Sequence, residues 1–143
     1  MKNKIILILS IITLLYSSNL SRGAFTIVDA KHHLLWQDNK DTISLALTHK
    51  DAINYCKKLS LEGYSNWRLP TVDEYKYIFD LTREDEILLD KKFRFVIKDD
   101  YWTSDRTWYR NFGKYAYFIK IKSAHSYYQN RSYKKYVRCV KDI

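Results

Sequence analysis

The pattern of apolar and polar positions predicts strands near both ends of the chain and helices between them. Residues 25–36 are β-favouring, with two apolar runs separated by a polar turn. Residues 101–104 form a short aromatic run that also predicts a strand. Residues 115–122 alternate at period two, and residues 136–141 predict a final strand.

A first helix is predicted to begin at Thr48. Thr48 and Asp51 have the spacing of a capping box, in which side chains satisfy the free backbone N–H groups of the first turn. Apolar residues then recur at helical spacing on one face: Ala52, Tyr55, Cys56 and Leu59. Gly63 follows as a turn or a terminator. Cys56 is therefore expected to face inward.

A second helix is predicted after a chain corner at residues 67–71. Pro70 disfavours a helical conformation at the residue before it, and Thr71 with Glu74 forms a second capping-box pattern. An apolar stripe follows at Val72, Tyr75, Ile78 and Phe79. No nucleophile or base is grouped here, so we expect a structural corner built from Trp67, Arg68, Pro70, Thr71 and Glu74.

The N-terminus predicts export. Residues 1–23 have a basic start at Lys2 and Lys4 and a short apolar run over 5–16, and small residues precede a cleavage point ahead of Ala24. The run is short for a transmembrane span, although an uncleaved anchor stays an alternative. Residues 24–143 fit one domain. In an oxidising compartment, the two cysteines, Cys56 and Cys139, predict a disulfide.

Basic residues are concentrated in the last part of the chain. Removing the three basic residues of the predicted signal peptide lowers the formal net charge from +9 to +6, and residues 106–143 contain ten basic residues and one acidic residue. Aromatic residues lie between the basic ones. Arg and Lys suit sulfate, phosphate or carboxylate, and aromatic rings suit sugars. The sequence predicts a polyanion-binding surface of these residues: Arg106, Trp108, Arg110, Lys114, Lys120, Lys122, Arg131, Lys134 and Lys135.

Strand alternation would place three of these lysines on one outer face. Lys114, Lys120 and Lys122 share the parity of Phe118 and lie opposite Tyr115, Tyr117, Ile119 and Ile121. A solvated basic surface without a ligand explains the same charge. Nucleic acid would also fit the charge, but export argues against it as the physiological partner.

Other chemistry has no legible pattern. His32 and His33 are adjacent, so on a strand they point to opposite faces and make a weak metal pair. The acidic residues of 84–90 lack the spacing and central glycine of a calcium loop, and predict a solvated acidic face. No Ser-His-Asp, Cys-His or paired-carboxylate arrangement is present. We expect no enzymatic activity, no metal and no cofactor.

Five blocks of the sequence, in order, resemble the bacterial Lcl C-terminal domain family, long labelled a domain of unknown function. They are Leu34-Leu35-Trp36-Gln37-Asp38, residues 51–56, residues 63–71, Tyr101-Trp102-Thr103-Ser104 and residues 136–140. The resemblance implies an α+β, C-type-lectin-like fold with two helices packed on a small, curved, mainly antiparallel sheet. Such folds commonly have a disulfide from the first helix to the last strand, which fits Cys56 and Cys139. The chain departs from the family pattern at His33, Asn66 and Thr103.

The resemblance implies less about function, because this fold hosts unrelated activities. Some members are adhesive tips of collagen-like surface proteins that bind sulfated polysaccharides, but this chain has no collagen-like repeat. We predict an exported, non-catalytic binding module, periplasmic or at the cell surface. It would recognise an acidic or sulfated glycan or another envelope polyanion. The alternative is a protein-interaction subunit of an envelope or surface assembly.

Overall fold

The computed structural model describes residues 19–108 and 111–143. Residues 1–18 of the predicted signal peptide and Arg110 of the predicted binding surface lie outside the described residues. The helices are α1 (Asp41–Ser44), α2 (His49–Lys58) and α3 (Val72–Lys76). The strands are β1 (Leu20–Arg22), β2 (Thr26–Asp29), β3 (Leu34–Gln37), β4 (Ala46–Leu47), β5 (Asp100–Arg106), β6 (Tyr115–Lys120), β7 (Ser126–Asn130), β8 (Lys135–Tyr136) and β9 (Val140–Asp142). Within 19–108 and 111–143, no helix has the length and apolar character that a membrane span requires.

The strands form two sheets, where the family resemblance implied one. A four-stranded antiparallel sheet has the order β1-β2-β3-β9. A five-stranded sheet has the order β4-β8-β5-β6-β7, and only its β5–β8 pair is parallel. The predicted α+β class with mainly antiparallel pairing is confirmed. The C-type-lectin-like assignment stays a prediction.

The predicted last strand, residues 136–141, is split between the two sheets. Tyr136 pairs with Ala46 and Tyr101 in the five-stranded sheet, whereas Val140 pairs with Trp36 in the four-stranded sheet. Cys139 lies in the link between them. The prediction of one continuous strand was therefore wrong, because the chain changes sheets within this segment.

The helices begin where their caps predict, but α3 is shorter than expected. The Thr48 hydroxyl accepts a hydrogen bond from the Asp51 backbone N–H at 3.3 Å, and the predicted face of α2 is buried at Ala52 and Cys56. α3 has only five residues. After it, the Ile78 backbone N–H bonds to the carbonyl of Tyr75, three residues back. Such i→i−3 bonds tighten the last turn, and the helix ends there.

The predicted corner is held by a capping box and an arginine fork. The Glu74 N–H donates to the Thr71 hydroxyl at 3.1 Å, and the Thr71 N–H donates to the Glu74 carboxylate at 2.8 Å. Two guanidinium nitrogens of Arg68 reach the same carboxylate at 2.8 and 2.6 Å. The Pro70 carbonyl accepts from the Ser104 N–H at 2.8 Å, and Trp67 is buried. These contacts join the corner to β5.

Two core clusters lie on opposite faces of the five-stranded sheet. Tyr101 and Ile119 belong to one cluster, which also contains Tyr75 of α3. Trp102 and Phe118 belong to the other, which also contains the cysteines. The predicted disulfide Cys56–Cys139 is confirmed, with its Cα atoms 5.6 Å apart. It joins α2 to the link before β9.

A buried polar cluster connects the ends of the chain. The Asp38 carboxylate and the Arg138 guanidinium are fully buried and 3.2 Å apart. Arg22 of β1 reaches the same carboxylate at 3.1 Å. β1 lies within the predicted signal peptide, yet Leu20 is part of the core. Cleavage ahead of Ala24 would remove this strand.

Candidate functional site

Three cations meet at one end of the five-stranded sheet. Arg106 ends β5, Lys114 precedes β6 and Arg131 follows β7. Because β5, β6 and β7 are neighbours, these positions are brought together. The Arg131 backbone N–H donates to the Lys114 carbonyl at 2.9 Å, and the Arg106 guanidinium donates to the Gly113 carbonyl at 2.9 Å. We call Arg106, Lys114 and Arg131 the cationic end.

A buried histidine positions one of these cations. The Arg131 Nε–H donates to His49 Nδ1 at 2.9 Å, and His49 Nε2 lies 2.7 Å from the Thr103 carbonyl, to which it donates. Burial, opposed by the hydrogen bond to the Thr103 carbonyl and assisted by the charges of Arg131 and Arg106, lowers the pKa of His49 to about 4. His49 is therefore neutral at neutral pH and can accept the arginine's hydrogen bond. The rest of the guanidinium stays available.

The cationic end has no acidic counterpart among the described residues. No carboxylate there forms an ion pair with Arg106, Lys114 or Arg131. Burial lowers the pKa of Arg131, and the neighbouring Arg106 charge lowers it as well. By contrast, Arg68 in the corner is paired with Glu74 and Asp142. A positive field is therefore concentrated at this end of the sheet.

Two exposed aromatic side chains stand beside the cations. Trp108 is 73% exposed, and its ring lies 5.1 Å from the Arg106 guanidinium carbon. Phe112 is 96% exposed and has a left-handed backbone conformation with φ of 50°. Both lie between β5 and β6, in the chain segment that connects Arg106 to Lys114. The sequence-predicted site residues Arg106, Trp108, Lys114 and Arg131 are thus brought together.

The remaining predicted residues lie elsewhere. Lys120 is six residues beyond Lys114, which corresponds to about 20 Å along a strand. Its ammonium group lies over the Tyr127 ring, at 5.3 Å. Lys122 is 3.8 Å from the Glu86 carboxylate. A cleft of about 240 Å³ at this end is also lined by Asp99 and Asp100, so positive charge is balanced there.

Lys134 and Lys135 differ although they are adjacent. Lys134 is exposed in the turn that follows Arg131. The Lys135 ammonium group is 3.2 Å from the Asp100 carboxylate and 3.7 Å from the centre of the Phe118 ring, and its side chain is mostly buried. Lys135 is thus engaged within the fold and is not free to bind an external anion.

The predicted row of lysines along β6 is interrupted. Ala116 and Phe118 share the face of Lys114 and Lys120, and both are buried in a core cluster. Alternation does place Tyr117 on the other face, beside Tyr128. The lysines do not form a continuous outer row, because both faces of the sheet are covered at the middle of this strand.

Other titratable groups make local contacts. His32 Nδ1 lies 2.8 Å from the Asp29 carboxylate, and the His32 ring stacks on Tyr77 with centroids 3.7 Å apart. In the acidic segment, Arg83 pairs with Asp85 and holds the pKa of that carboxyl below its usual range. Within the described ranges, no three His, Cys, Asp or Glu side chains are grouped to hold a metal ion.

His49 and Phe112 were not among the predicted site residues. His49 lies in the first turn of an amphipathic helix, and its partner, Arg131, is 82 residues away in the sequence. No local sequence pattern indicates a contact of that kind. Phe112 was one aromatic among several in a basic region. Its next neighbour, Gly113, has a φ of 73°, a left-handed conformation that glycine adopts readily.

Comparison with known proteins adds one assignment. The model of the Lcl C-terminal domain matches residues 25–141, which is most of the chain. The matched region includes both cysteines, the corner and the cationic end. A comparison with curated proteins gives no match. The chain therefore belongs to the Lcl C-terminal domain family.

Proposed function

We propose that this protein is an exported, non-catalytic binding module that recognises an acidic or sulfated glycan, or another envelope polyanion, at its cationic end. Membership of the family suggests a secreted, surface-associated bacterial domain. The disulfide is compatible with export, because such bonds persist in oxidising compartments. The proposal needs no cofactor or metal, and export disfavours nucleic acid as the natural partner.

The observation that supports the proposal most directly is the uncompensated charge of Arg106, Lys114 and Arg131. Surface cations usually lie among carboxylates, as Lys122 does beside Glu86. Here three cations converge without an ion pair in the described chain. A polyanion would supply the missing counter-charge.

The side chains at this end suit a sulfated or carboxylated sugar. Guanidinium groups form paired, charge-assisted hydrogen bonds with sulfate and carboxylate oxygens. Arg131 is held by His49 through Nε, so its terminal nitrogens are oriented before a ligand arrives. Less side-chain freedom is then lost on binding. Trp108 offers an exposed aromatic face against which a sugar ring can pack.

A protein-interaction subunit is the second candidate, supported by the exposed tyrosines of β7 and the turn after it. Tyr127 and Tyr128 of β7 are 47% and 44% exposed, and Tyr133 in the next turn is 56% exposed. Tyrosine is enriched at protein interfaces. This function would use the aromatic surface and would not require the cations.

The test compares two exposed lysines whose substitution changes net charge equally. Lys114→Glu removes a member of the cationic end, whereas Lys122→Glu alters the balanced end of the sheet. We expect binding of a heparin oligosaccharide, measured by titration calorimetry at low salt, to weaken roughly fivefold or more in Lys114→Glu, since a charge-assisted contact contributes about 1 kcal/mol or more. Lys122→Glu should change the affinity by less than about twofold.

Affinity of the unaltered protein should also fall steeply with salt, because exposed charges are screened. Equal effects of the two lysine substitutions would show that only net charge matters and would overturn the proposed site. No binding above that of an equally basic control protein would overturn glycan recognition itself. The protein-interaction function would then be the better one.

A further inference from the structure

We propose that the exported protein keeps residues 19–23 and that processing of its leader spares the Gly23–Ala24 bond. An endopeptidase that removes the leader then hydrolyses a peptide bond upstream of Asn19, and water supplies the new carboxyl group of the leader and the new amino group of the domain. Retention of β1 is independent of ligand recognition at the cationic end and goes beyond it.

The backbone of this segment is paired along its whole length in the four-stranded sheet. All three residues of β1 pair antiparallel with β2. Before the strand, the Asn19 carbonyl accepts a hydrogen bond from the Ala30 N–H at 3.2 Å. After it, the Gly23 N–H donates to the Thr26 carbonyl at 2.7 Å. Cleavage ahead of Ala24 would leave β2 as a sheet edge without its partner strand.

The side chain of Leu20 belongs to the core. It is 7% exposed and lies in the same buried cluster as Ile27 and Trp36. Loss of a buried leucine costs its transfer free energy and leaves a cavity that the surrounding residues fill only in part. A chain that begins at Ala24 would lack this side chain.

Arg22 connects the same strand to the buried polar cluster. Its guanidinium lies 3.1 Å from the Asp38 carboxylate, which is fully buried, and it also donates to the Lys92 carbonyl. In return, the Lys92 ammonium group donates to the Leu20 carbonyl. Removing β1 would leave Asp38 with one arginine fewer and would free the contacts of Lys92 with the strand. The strand therefore contributes to the fold through its backbone, its core side chain and its charge.

The sequence alone favoured the other outcome. Ser21 and Gly23 are small residues placed three and one before the Gly23–Ala24 bond, as a leader cleavage site requires. Small residues also lie upstream, at Ser17 and Ser18, directly after the apolar run. The family match begins at residue 25, so β1 lies outside the region that a family pattern describes. Only the three-dimensional contacts show that the strand belongs to the domain.

The test determines the N-terminus of the full chain after export with its own leader, by intact mass and N-terminal sequencing. We expect the chain to begin at Asn19 or at an earlier residue, with a processed or an unprocessed leader. A chain that begins at Ala24, or at any residue from Leu20 onward, would overturn the proposal.

Ser21→Gln distinguishes the two processing positions. Ser21 is exposed in β1, so the fold accommodates the longer side chain. The substitution removes the small residue three positions before the Gly23–Ala24 bond. We expect the same N-terminus as in the unaltered protein. Accumulation of an unprocessed chain in this variant alone would show that the Gly23–Ala24 bond is the one cleaved.

Leu20→Gln tests whether the strand is part of the exported fold. Because a buried leucine is replaced by an amide, the urea midpoint of the exported protein should fall by roughly 1 M. The matched control is Leu81→Gln, at a side chain that is 73% exposed, and its midpoint should change by less than about 0.2 M. Glutamine is not a small residue, so neither substitution creates a new processing signal. Equal midpoints for the two variants would overturn the proposal, whereas the dependence of heparin binding on Lys114 tests the proposed function separately.

Discussion

Asp38→Asn is expected to destabilise the fold by about 3 kcal/mol. One carboxylate oxygen accepts from the Phe95 N–H at 3.1 Å and from Arg138 at 3.2 Å. The other accepts from the Arg94 N–H at 3.0 Å and from Arg22 at 3.1 Å. Asparagine keeps the shape but turns one acceptor into a donor, so two of these contacts are lost. Arg138 also loses its counter-charge while it stays fully buried.

The magnitude follows from these contacts. Hydrogen bonds to charged groups contribute about 1.5–3 kcal/mol each, and removing one partner of a buried ion pair costs about 3–5 kcal/mol. In the uncleaved chain, which keeps β1, Arg22→Ala is the control on the same carboxylate, with a side chain that is 19% exposed. It should cost less, about 1 kcal/mol, because Arg138 still compensates Asp38.

Urea unfolding, followed by circular dichroism, measures these changes. The cycle is completed with Arg138→Met and the double variant Asp38→Asn with Arg138→Met. Each single substitution leaves the other charged group buried without its partner. The double variant should therefore be about 2 kcal/mol more stable than the sum of the two single destabilisations predicts. A coupling below about 0.5 kcal/mol, or Asp38→Asn no worse than Arg22→Ala, would refute the ion pair as a determinant of stability.

Three further effects are expected. Replacing Cys56 and Cys139 together by serine should lower the free energy of unfolding by about 4 kcal/mol, because the bond closes a loop of 83 residues; unchanged urea midpoints would contradict this. Thr71→Ala should lower the free energy of unfolding by about 1 kcal/mol, because the helix cap is lost, and should leave heparin binding at saturation unchanged. A variant with normal stability but lost heparin binding would show that the corner belongs to a binding site. The pKa of His49 is lower in the folded state than in the unfolded chain, so the unfolded state takes up the proton first, and stability should fall by about 2 kcal/mol as pH drops from 6.5 towards 4. His49→Gln should show a smaller loss over the same range, and an equal loss would assign the effect to other groups.

The elements that sequence predicted well are those specified locally. The starts of α2 and α3 depend on Thr48 and Thr71, whose partners lie three residues away. The disulfide followed from two cysteines in a chain with a predicted export signal. In each case the relevant chemistry is either short-range or restricted to one possible pair.

The elements that were missed depend on long-range placement. The split between β8 and β9 follows from pairing with Tyr101 and Trp36, which a local pattern does not reveal. The sequence pattern predicts a surface cation at Lys135, yet its ammonium group lies over the Phe118 ring. Long basic side chains often cover aromatic surface in this way.

The candidate site was predicted only in part, because the positions of its residues also depend on long-range strand pairing. Composition identified a basic and aromatic region but could not show which cations converge. The register of β5, β6 and β7 joins Arg106, Lys114 and Arg131 and separates them from Lys120. That register depends on backbone pairing between strands distant in sequence.

Binding at the cationic end is tested most directly by titrating a heparin oligosaccharide into ¹⁵N-labelled protein and following its NMR signals. The indole N–H of Trp108 and the backbone amides of Lys114 and Arg131 should shift. The indole signals of the buried Trp36 and Trp102 should stay in place. Shifts centred on the other end of β6, or spread weakly over every basic residue, would contradict the cationic end as the binding site.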